Sequence, residues 1–280
     1  MLISSLTYAI GDVHGRSDLL KPLLEFIASD ADRRRQEPRV IFLGDIVDRG
    51  PDSKGCIELV LSTLDLWPKS KLVLGNHDDW FVRVLGTDDP DRTVVAAWLR
   101  NGGLPTLCGY DYEPDLCMAR NAVKLDYEHH ISLFRRASII ELDGPFAFVH
   151  AGIRPDESIN NQDRNDCLTI RKPFLECTAP FSHVVVHGHT ITDSYRPVVT
   201  SNRIALDTGA YDSGRLTALI LDPIAQSIEF AWTTQTAAGV AVGFVNPVCT
   251  GVPESLSEYM GGRARSATTE FALPLHDDLT

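Results

Sequence analysis

The chain has 280 residues, a formal net charge of −12 at neutral pH, 44% hydrophobic residues and 23% charged residues. These values are typical of a soluble globular protein, and no apolar stretch approaches the roughly 20 residues that a membrane span requires. The acidic balance argues against nucleic-acid or anionic-membrane binding, because both need a basic surface. Six cysteines without a C-x-x-C pair, and a start without signal-peptide features, predict a cytoplasmic protein with reduced thiols.

The first quarter of the chain alternates strand-like and helical patterns. The apolar runs LTYAI, RVIFL and KLVL are each followed by glycine, at Gly11, Gly44 and Gly75. Between them, DLLKPLLEFIASDADRRR and SKGCIELVLSTLD have the periodicity of amphipathic helices. This alternation predicts an α/β sheet with a functional site beyond the strand ends.

The middle and end of the chain follow different patterns. Residues 80–143 are mainly helical in pattern and are predicted to form an insertion beside the site. FAFV and HVVV are further predicted strands, and RIALDTGA, RLTALILD and QSIEFAWTT are predicted to pair antiparallel. We expect one catalytic domain over residues 1–250 and a loosely ordered tail over 251–280.

Residues that commonly bind metals follow five of these predicted strands. They are Asp12 and His14 in GDVHG, Asp45 and Asp48 in GDIVDRG, Asn76 and His77 in GNHDD, His150 in HAG, and His187 and His189 in HGHT. Carboxylate, imidazole and amide groups without cysteine suit Mn²⁺, Fe or Zn²⁺ in a hydrolytic site better than a structural zinc site. One such motif is weak evidence, but five after successive strands predict a metal centre.

In order and wording, these motifs resemble the calcineurin-like metallophosphoesterases, and within them the phosphoprotein phosphatase branch, including bacterial serine/threonine phosphatases. The resemblance covers residues from about 8 to 220, because WLRNGGLPTL and NRIALDTGAYDSGRLTAL also resemble bacterial members. It implies an α/β fold in which two mixed sheets form a β-sandwich flanked by helices.

The resemblance also implies two divalent metal ions, with Mn²⁺ expected first and Fe or Zn²⁺ as alternatives. The first ion would be bound by Asp12, His14 and the bridging Asp45, and the second by Asp45, Asn76, His150 and His189. The wider superfamily has G-H-x-H in its late motif, and here the second histidine position is Ile191. This is the form found in protein phosphatases, and it predicts that water completes the shell of the first ion.

The implied reaction is attack on phosphorus by a hydroxide shared between the two cations, which also neutralise phosphate oxygens. His77 would protonate the leaving oxygen, and Asp48 would orient its ring. Arg49 would bind two phosphate oxygens through its planar guanidinium. By resemblance, Arg171 in LTIRKPF would be a second phosphate-binding arginine, although IRK is equally typical of a solvated surface.

Three nearby residues have less defined expectations. His187 is expected to orient a metal ligand, with a core position as the alternative. Arg16 is a candidate for the phosphate pocket, whereas Asp18 is expected to support the start of the next helix. Asp78 stands where the protein-phosphatase branch usually has glutamate, which weakens that assignment but leaves the metal chemistry intact.

The resemblance favours a phosphatase that acts on phosphorylated serine or threonine side chains of proteins, tyrosine included, or on small phosphoesters. The alternative is symmetrical cleavage of dinucleoside tetraphosphates, whose bacterial enzymes share most motifs but tend to have glutamine in place of His14. A non-catalytic phosphate-binding scaffold is a third hypothesis. It is disfavoured because no expected ligand is missing.

Overall fold

The computed structural model describes residues 3–110 and 115–250, so the predicted tail at 251–280 lies outside the described residues. Two six-stranded sheets form the centre of this part of the chain. The first runs in the order β11 (Gly239–Phe244), β10 (Ser227–Thr236), β9 (Thr217–Asp222), β1 (Leu6–Ile10), β2 (Pro38–Phe42) and β3 (Lys71–Leu72). The second runs in the order β12 (Val248–Cys249), β7 (Val198–Val199), β8 (Arg203–Ala205), β6 (Val184–His187), β5 (Phe146–Val149) and β4 (Ile140–Asp143).

Both sheets are mixed, which confirms the predicted sandwich of two mixed sheets. In the first, β1, β2 and β3 are parallel, and β9, β10 and β11 extend it with antiparallel pairs. In the second, β5, β6 and β8 are parallel, β4 pairs antiparallel with β5, and β7 pairs antiparallel with β8 and parallel with β12. Because β1 and β2 are parallel, their carboxyl ends lie at the same edge of the first sheet. The carboxyl ends of β5 and β6 likewise lie at one edge of the second sheet.

Alternate residues of the strands face two different apolar cores. Ile41 of β2 packs in one cluster with Phe148 and other residues of the second sheet. The neighbouring Phe42 packs in another cluster with the helices α1 (Ser17–Arg34) and α2 (Ser53–Leu66). Burial on both faces explains why these strands are continuous apolar runs without polar alternation.

Helices occupy most of residues 80–143, but the helical segment begins and ends at other residues than those predicted. Its helices are α3 (Asn76–Leu85), α4 (Arg92–Trp98), α5 (Leu104–Tyr110), α6 (Leu116–Asp126) and α7 (Glu128–Arg135), with a π-helical turn at Leu99–Gly103. Residues 140–143 instead form β4, which pairs antiparallel with β5. Four residues are too few to show a strand period beside a long helical pattern, so sequence analysis assigned them to the helices.

Within residues 3–110 and 115–250, the remaining helices are a 3-10 turn at Ile159–Asn161 and the short α-helices α8 (Arg164–Thr169), α9 (Lys172–Leu175) and α10 (Ala210–Ser213). Cys167 of α8 and Phe174 of α9 pack with Val149 and Val185 on the outer face of the second sheet. Among the described residues, no helix combines the length and the apolar composition needed to cross a membrane.

Candidate metal and catalytic site

The predicted ligands lie together where the strands end. Asp12 follows β1, Asp45 follows β2, and Asn76 begins α3 just after β3, while His150 follows β5 and His189 follows β6. Each of these side chains except His189 is buried. The edge shared by the two sheets therefore contains a closely spaced set of carboxylate, amide and imidazole groups.

Asp45 is the centre of this set. Its Oδ2 lies 3.5 Å from Nε2 of His14, and its Oδ1 lies 3.4 Å from Nε2 of His150. Potential ligand atoms of His14, Asp45 and His77 lie within 4.8 Å of one another, and so do those of Asp45, His150 and His189. Two carboxylate oxygens that face two different groups are the arrangement that a ligand bridging two cations requires.

Backbone contacts orient two of the histidines. Nδ1 of His14 donates to the Val47 carbonyl at 2.9 Å, and Nδ1 of His150 donates to the Leu43 carbonyl at 2.8 Å. A carbonyl can only accept, so Nε2 is the nitrogen that each ring presents to the site. A histidine whose other nitrogen is bonded to a backbone carbonyl is the usual form of a metal-binding imidazole.

The charges of the set also suit cation binding. Burial lowers the pKa of His14 well below its usual value and that of His189 to about 3, so the neutral form of both rings is favoured. Burial would raise the pKa of Asp45, but the surrounding histidines hold it well below its usual range. Burial and the nearby Asp207 raise the pKa of Asp12 well above its usual value. Buried carboxylates this close favour either a bound proton or a metal ion.

His150 behaves differently from the other two rings. Burial opposes its charged form, yet Asp45 and Asp12 raise its pKa to about 10. Its Nε2 lies 3.1 Å from Oδ1 of Asn76, which is an acceptor. A cation bound by Nε2 would take the place of the proton that these oxygens attract. The donor types and protonation states of the set therefore fit two divalent metal ions.

Close backbone packing at Gly188 places Asp12. The backbone N–H of His189 donates to both carboxylate oxygens of Asp12 at 3.1 Å. A Cβ atom on Gly188 would lie 2.0 Å from Oδ1 of Asp12, far inside van der Waals contact. Only glycine leaves Asp12 in this position.

Gly188→Ala is therefore expected to displace Asp12 and to weaken metal binding by about 10–100-fold, the usual effect of disturbing a ligand's support. The measurement is calorimetric titration of the metal-free protein with Mn²⁺. Gly109→Ala is the matched control, because a Cβ there meets nothing within 4 Å. Equal Mn²⁺ affinity in the two variants would show that Asp12 does not bind the metal.

Five residues of the site have a left-handed backbone: His14 (φ 47°), Asp45 (φ 51°), Asp48 (φ 74°), Arg49 (φ 67°) and His189 (φ 63°). Positive φ is uncommon for residues other than glycine, and it concentrates at functional sites where surrounding contacts enforce it. The loops after β1, β2 and β6 thus hold a strained geometry that aims their side chains at the site.

His77 and Asp48 form a buried pair beside the metal-ligand set. Nδ1 of His77 lies 2.7 Å from Oδ2 of Asp48. Trp98 and Thr106, both from the helical segment, also donate to this carboxylate. Burial raises the pKa of Asp48 despite these donors. Sequence analysis assigned no role to Trp98 or Thr106, because sequence spacing gave no sign that they contact Asp48.

Arg49 lies across the two histidines. Its Nη1 is 2.9 Å from Nε2 of His14, and its Nη2 is 3.1 Å from Nε2 of His77. The guanidinium carbon lies 4.7 Å from the ring centroid of Tyr211, which is 37% exposed. Tyr211 was not among the predicted site residues. Its position shortly after β8, whose carboxyl end lies at the same sheet edge, could have indicated that it lies near the site.

The other two arginines differ in their surroundings. Arg171 donates to the hydroxyl of Thr190 at 3.1 Å, next to His189, and is exposed at the rim of the site. Arg16 instead donates through Nε and Nη2 to Asp18, at 2.8 and 2.7 Å, and through Nη1 to the Ala210 carbonyl at 2.8 Å. All three nitrogens of Arg16 are bonded to protein atoms, so these contacts do not place it in a phosphate pocket.

His187 and Asp78 contact backbone rather than metal ligands. Nδ1 of His187 lies 3.0 Å from the Gly188 carbonyl and its ring packs on Phe174, while its Nε2 has no hydrogen-bond partner among the described residues. These contacts give it a core position, the alternative noted above. Asp78 accepts from the N–H groups of Ile46 at 2.9 Å and Gly75 at 3.1 Å, so its carboxylate caps α3 and secures the Asp45 loop.

A third group of potential ligands lies away from this set. Glu58, His129 and His130 come together where α2 meets α7. His130 is buried and contacts Tyr110 at 2.6 Å through Nδ1 and Glu58 at 2.9 Å through Nε2. Both nitrogens therefore have protein partners, and the group links α7 to α2.

Asp45 lies between two groups of potential nitrogen and oxygen ligands, beside a histidine and an arginine, and this is the arrangement expected of a dinuclear metal site. The profile of the calcineurin-like phosphoesterase family matches residues 6–214. The chain belongs to this family, which confirms the resemblance seen in the sequence.

Relatives and solved structures agree with that family. A protein from Dechloromonas aromatica (strain RCB), named bis(5'-nucleosyl)-tetraphosphatase, symmetrical, is 32% identical over 156 residues, covering 53% of this chain and 44% of the relative. Bis(5'-nucleosyl)-tetraphosphatase PrpE [asymmetrical] from Bacillus thuringiensis (strain Al Hakam) is 29% identical over 233 residues, covering 75% and 88%. The chain thus spans less than half the length of the first relative.

A solved structure described as a putative diadenosine tetraphosphatase has a TM-score of 0.52 and 20% identity, covering 86% of this chain and 94% of that one. At this identity the likeness shows the fold alone.

Proposed function

We propose that this chain hydrolyses dinucleoside polyphosphates, with dinucleoside tetraphosphates as the first candidates. The observation that carries the proposal is that the curated relatives are named bis(5'-nucleosyl)-tetraphosphatases, of both the symmetrical and the asymmetrical kind. These relatives favour the alternative of the sequence analysis over its first choice, a phosphoprotein phosphatase.

The residues of the site suit a polyanionic substrate. Asp12, His14 and Asp45 would bind one cation, and Asp45, Asn76, His150 and His189 the other. When bound, such cations generate a nucleophile from water at neutral pH and neutralise phosphate oxygens. Arg49 and Arg171 add positive charge at the rim. Together these groups offset the repulsion between a polyphosphate and a chain with a net charge of −12.

Arg49 has two possible partners that exclude each other. Nε2 of His14 accepts from Nη1 of Arg49 at 2.9 Å, and the same lone pair would bind a cation. A lone pair can serve only one of these, so a cation bound there would displace Nη1 of Arg49 from His14. If Nη2 also left His77, the guanidinium could donate two parallel hydrogen bonds to a phosphate group.

His77 is the proposed acid for the leaving group. Asp48 accepts from Nδ1, so the proton for the leaving oxygen would be carried on Nε2. Nε2 contacts Nη2 of Arg49 at 3.1 Å, so this role requires Arg49 to turn to the phosphate first. As the P–O bond breaks, the bonding pair goes to the leaving oxygen, which takes the proton from Nε2. The ring is left neutral and keeps its Nδ1–H bond to Asp48.

A second candidate is hydrolysis of phosphomonoesters on protein side chains. It is favoured by His14, where the tetraphosphatases tend to have glutamine, and by Ile191, where the wider superfamily has a second histidine. Both features resemble the phosphoprotein phosphatase branch.

Product analysis separates the two candidates. Incubated with Mn²⁺, the protein is expected to convert diadenosine tetraphosphate either to ADP alone, if cleavage is symmetrical, or to ATP and AMP. A panel of phosphoserine, phosphothreonine and phosphotyrosine peptides should release little phosphate under the same conditions. Excess chelator should stop turnover and added Mn²⁺ should restore it. Phosphate release from peptides without any nucleotide product would reverse the assignment.

A further inference from the structure

The helical segment reaches the site through two buried side chains. The Nε1–H of Trp98 donates to both oxygens of Asp48, at 3.0 and 2.9 Å. The hydroxyl of Thr106 donates to Oδ1 of the same carboxylate at 2.7 Å. Asp48, Trp98 and Thr106 are all fully buried. Two donors from one insertion thus converge on the carboxylate that pairs with His77.

The same segment, together with Ser53 of α2, holds the backbone of Asp48 and Arg49. The N–H of Asp48 donates to Oγ of Ser53 at 2.9 Å and to Oγ1 of Thr106 at 3.1 Å. The N–H of Arg49 donates to the carbonyl of Gly102 at 2.9 Å. Both residues have positive φ, a conformation that persists only when surrounding contacts enforce it. These contacts supply that constraint.

The kink at the π-helical turn explains how one segment supplies the contacts of Trp98, Gly102 and Thr106. Asn101 and Gly102 depart from helical angles, and Gly102 has a φ of 102°. A Cβ on Gly102 would lie 2.7 Å from Cγ of Arg49. The helix axis therefore breaks where the segment passes Arg49, so that Trp98 before the break and Thr106 after it can both reach Asp48.

We propose that Trp98 and Thr106 are positioning residues for proton delivery. They fix the carboxylate of Asp48 so that Oδ2 faces Nδ1 of His77, and this directs Nε2 of His77 towards the leaving group. Neither residue touches the substrate. The inference rests on the proposed role of His77 as the acid, and it gives the insertion a function in the chemical step.

Proton NMR spectroscopy can test the positioning of His77 without measuring turnover. The Nδ1–H proton of His77, held by a carboxylate at 2.7 Å, should give a downfield proton resonance that is absent from His77→Ala. We expect Trp98→Phe and Thr106→Val to shift this resonance upfield or to broaden it through solvent exchange. Thr106→Ser keeps the hydroxyl and should retain the wild-type resonance. An unchanged resonance in both Trp98→Phe and Thr106→Val overturns the proposal.

Kinetics with two aryl esters provide the functional test. Nitrophenolate leaves readily without a proton, whereas phenolate needs one. We expect Trp98→Phe and Thr106→Val to lose about tenfold in kcat on phenyl phosphate, part of the ~10²–10⁴ that a general acid supplies, with much less loss on p-nitrophenyl phosphate. Thr106→Ser should follow the wild type. Equal losses on both esters in variants with normal thermal unfolding would overturn the positioning role.

The acid role and the positioning role fail in different ways. If His77→Ala loses equally on both esters, His77 is not the acid and the proposed mechanism fails. If His77→Ala shows the leaving-group effect and the Trp98 and Thr106 variants do not, only the positioning role fails.

Discussion

Asp45→Asn is expected to lower turnover by about a thousandfold or more and to reduce the metal content of the protein. Oδ1 and Oδ2 of Asp45 face different histidines, and the surrounding imidazoles hold its pKa well below the usual range. The asparagine side chain has one oxygen and one nitrogen and carries no negative charge. It therefore cannot bridge two cations as the aspartate carboxylate would. Losing several kcal/mol of charge stabilisation corresponds to about a thousandfold in rate.

The measurements are initial rates on diadenosine tetraphosphate and metal content after Mn²⁺ loading and desalting. Asp65→Asn is the matched control, because Asp65 is an exposed residue of α2 and the chemical change is the same. It should keep wild-type rates and metal content. If Asp45→Asn retained both, Asp45 would not be the bridging ligand.

The central strands could be predicted because they are apolar runs with clear ends, whereas the sandwich of two mixed sheets was implied by the family resemblance. LTYAI and RVIFL are buried along their whole length, and their composition alone identifies them as central strands. Once the strands were placed, the polar residues after them had to meet at one edge. The strands β7 and β12 were not predicted, because each has only two residues and so shows no alternation of apolar and polar residues.

The contacts of the helical segment could not be predicted in the same way. Trp98 and Asp48 are distant in sequence, and the approach of Trp98 depends on a helix broken at Gly102. The resemblance covered WLRNGGLPTL as a pattern but gave its residues no role. A tryptophan at helical spacing is normally read as core, and here it is both buried and a hydrogen-bond donor to a carboxylate.

Left-handed backbone was the other hidden feature. Nothing in GDIVDRG requires Asp45, Asp48 and Arg49 to adopt positive φ, since these residue types rarely do so. Their conformation is imposed by tertiary contacts such as the Gly102 carbonyl on the Arg49 N–H. The candidate residues could therefore be named from the sequence, whereas the directions of their side chains depend on packing.

His77→Ala is expected to lower kcat by about 10²–10⁴-fold on substrates with poor leaving groups while the metal content stays at the wild-type level. The reason lies in the two nitrogens of the ring. Nδ1 is bound to Asp48 at 2.7 Å, and Nε2 accepts from Arg49, so the ring is held at the edge of the ligand set.

Metal content decides between two roles for this ring, because atoms of His77 also lie within 4.8 Å of those of His14 and Asp45. A metal ligand would lose both activity and one equivalent of metal on conversion to alanine, as expected for Asp45→Asn. An acid would lose activity alone, and the loss would shrink as the leaving group improves. Comparing metal content and leaving-group dependence in the two variants therefore separates the residue that holds the cations from the one that delivers the proton.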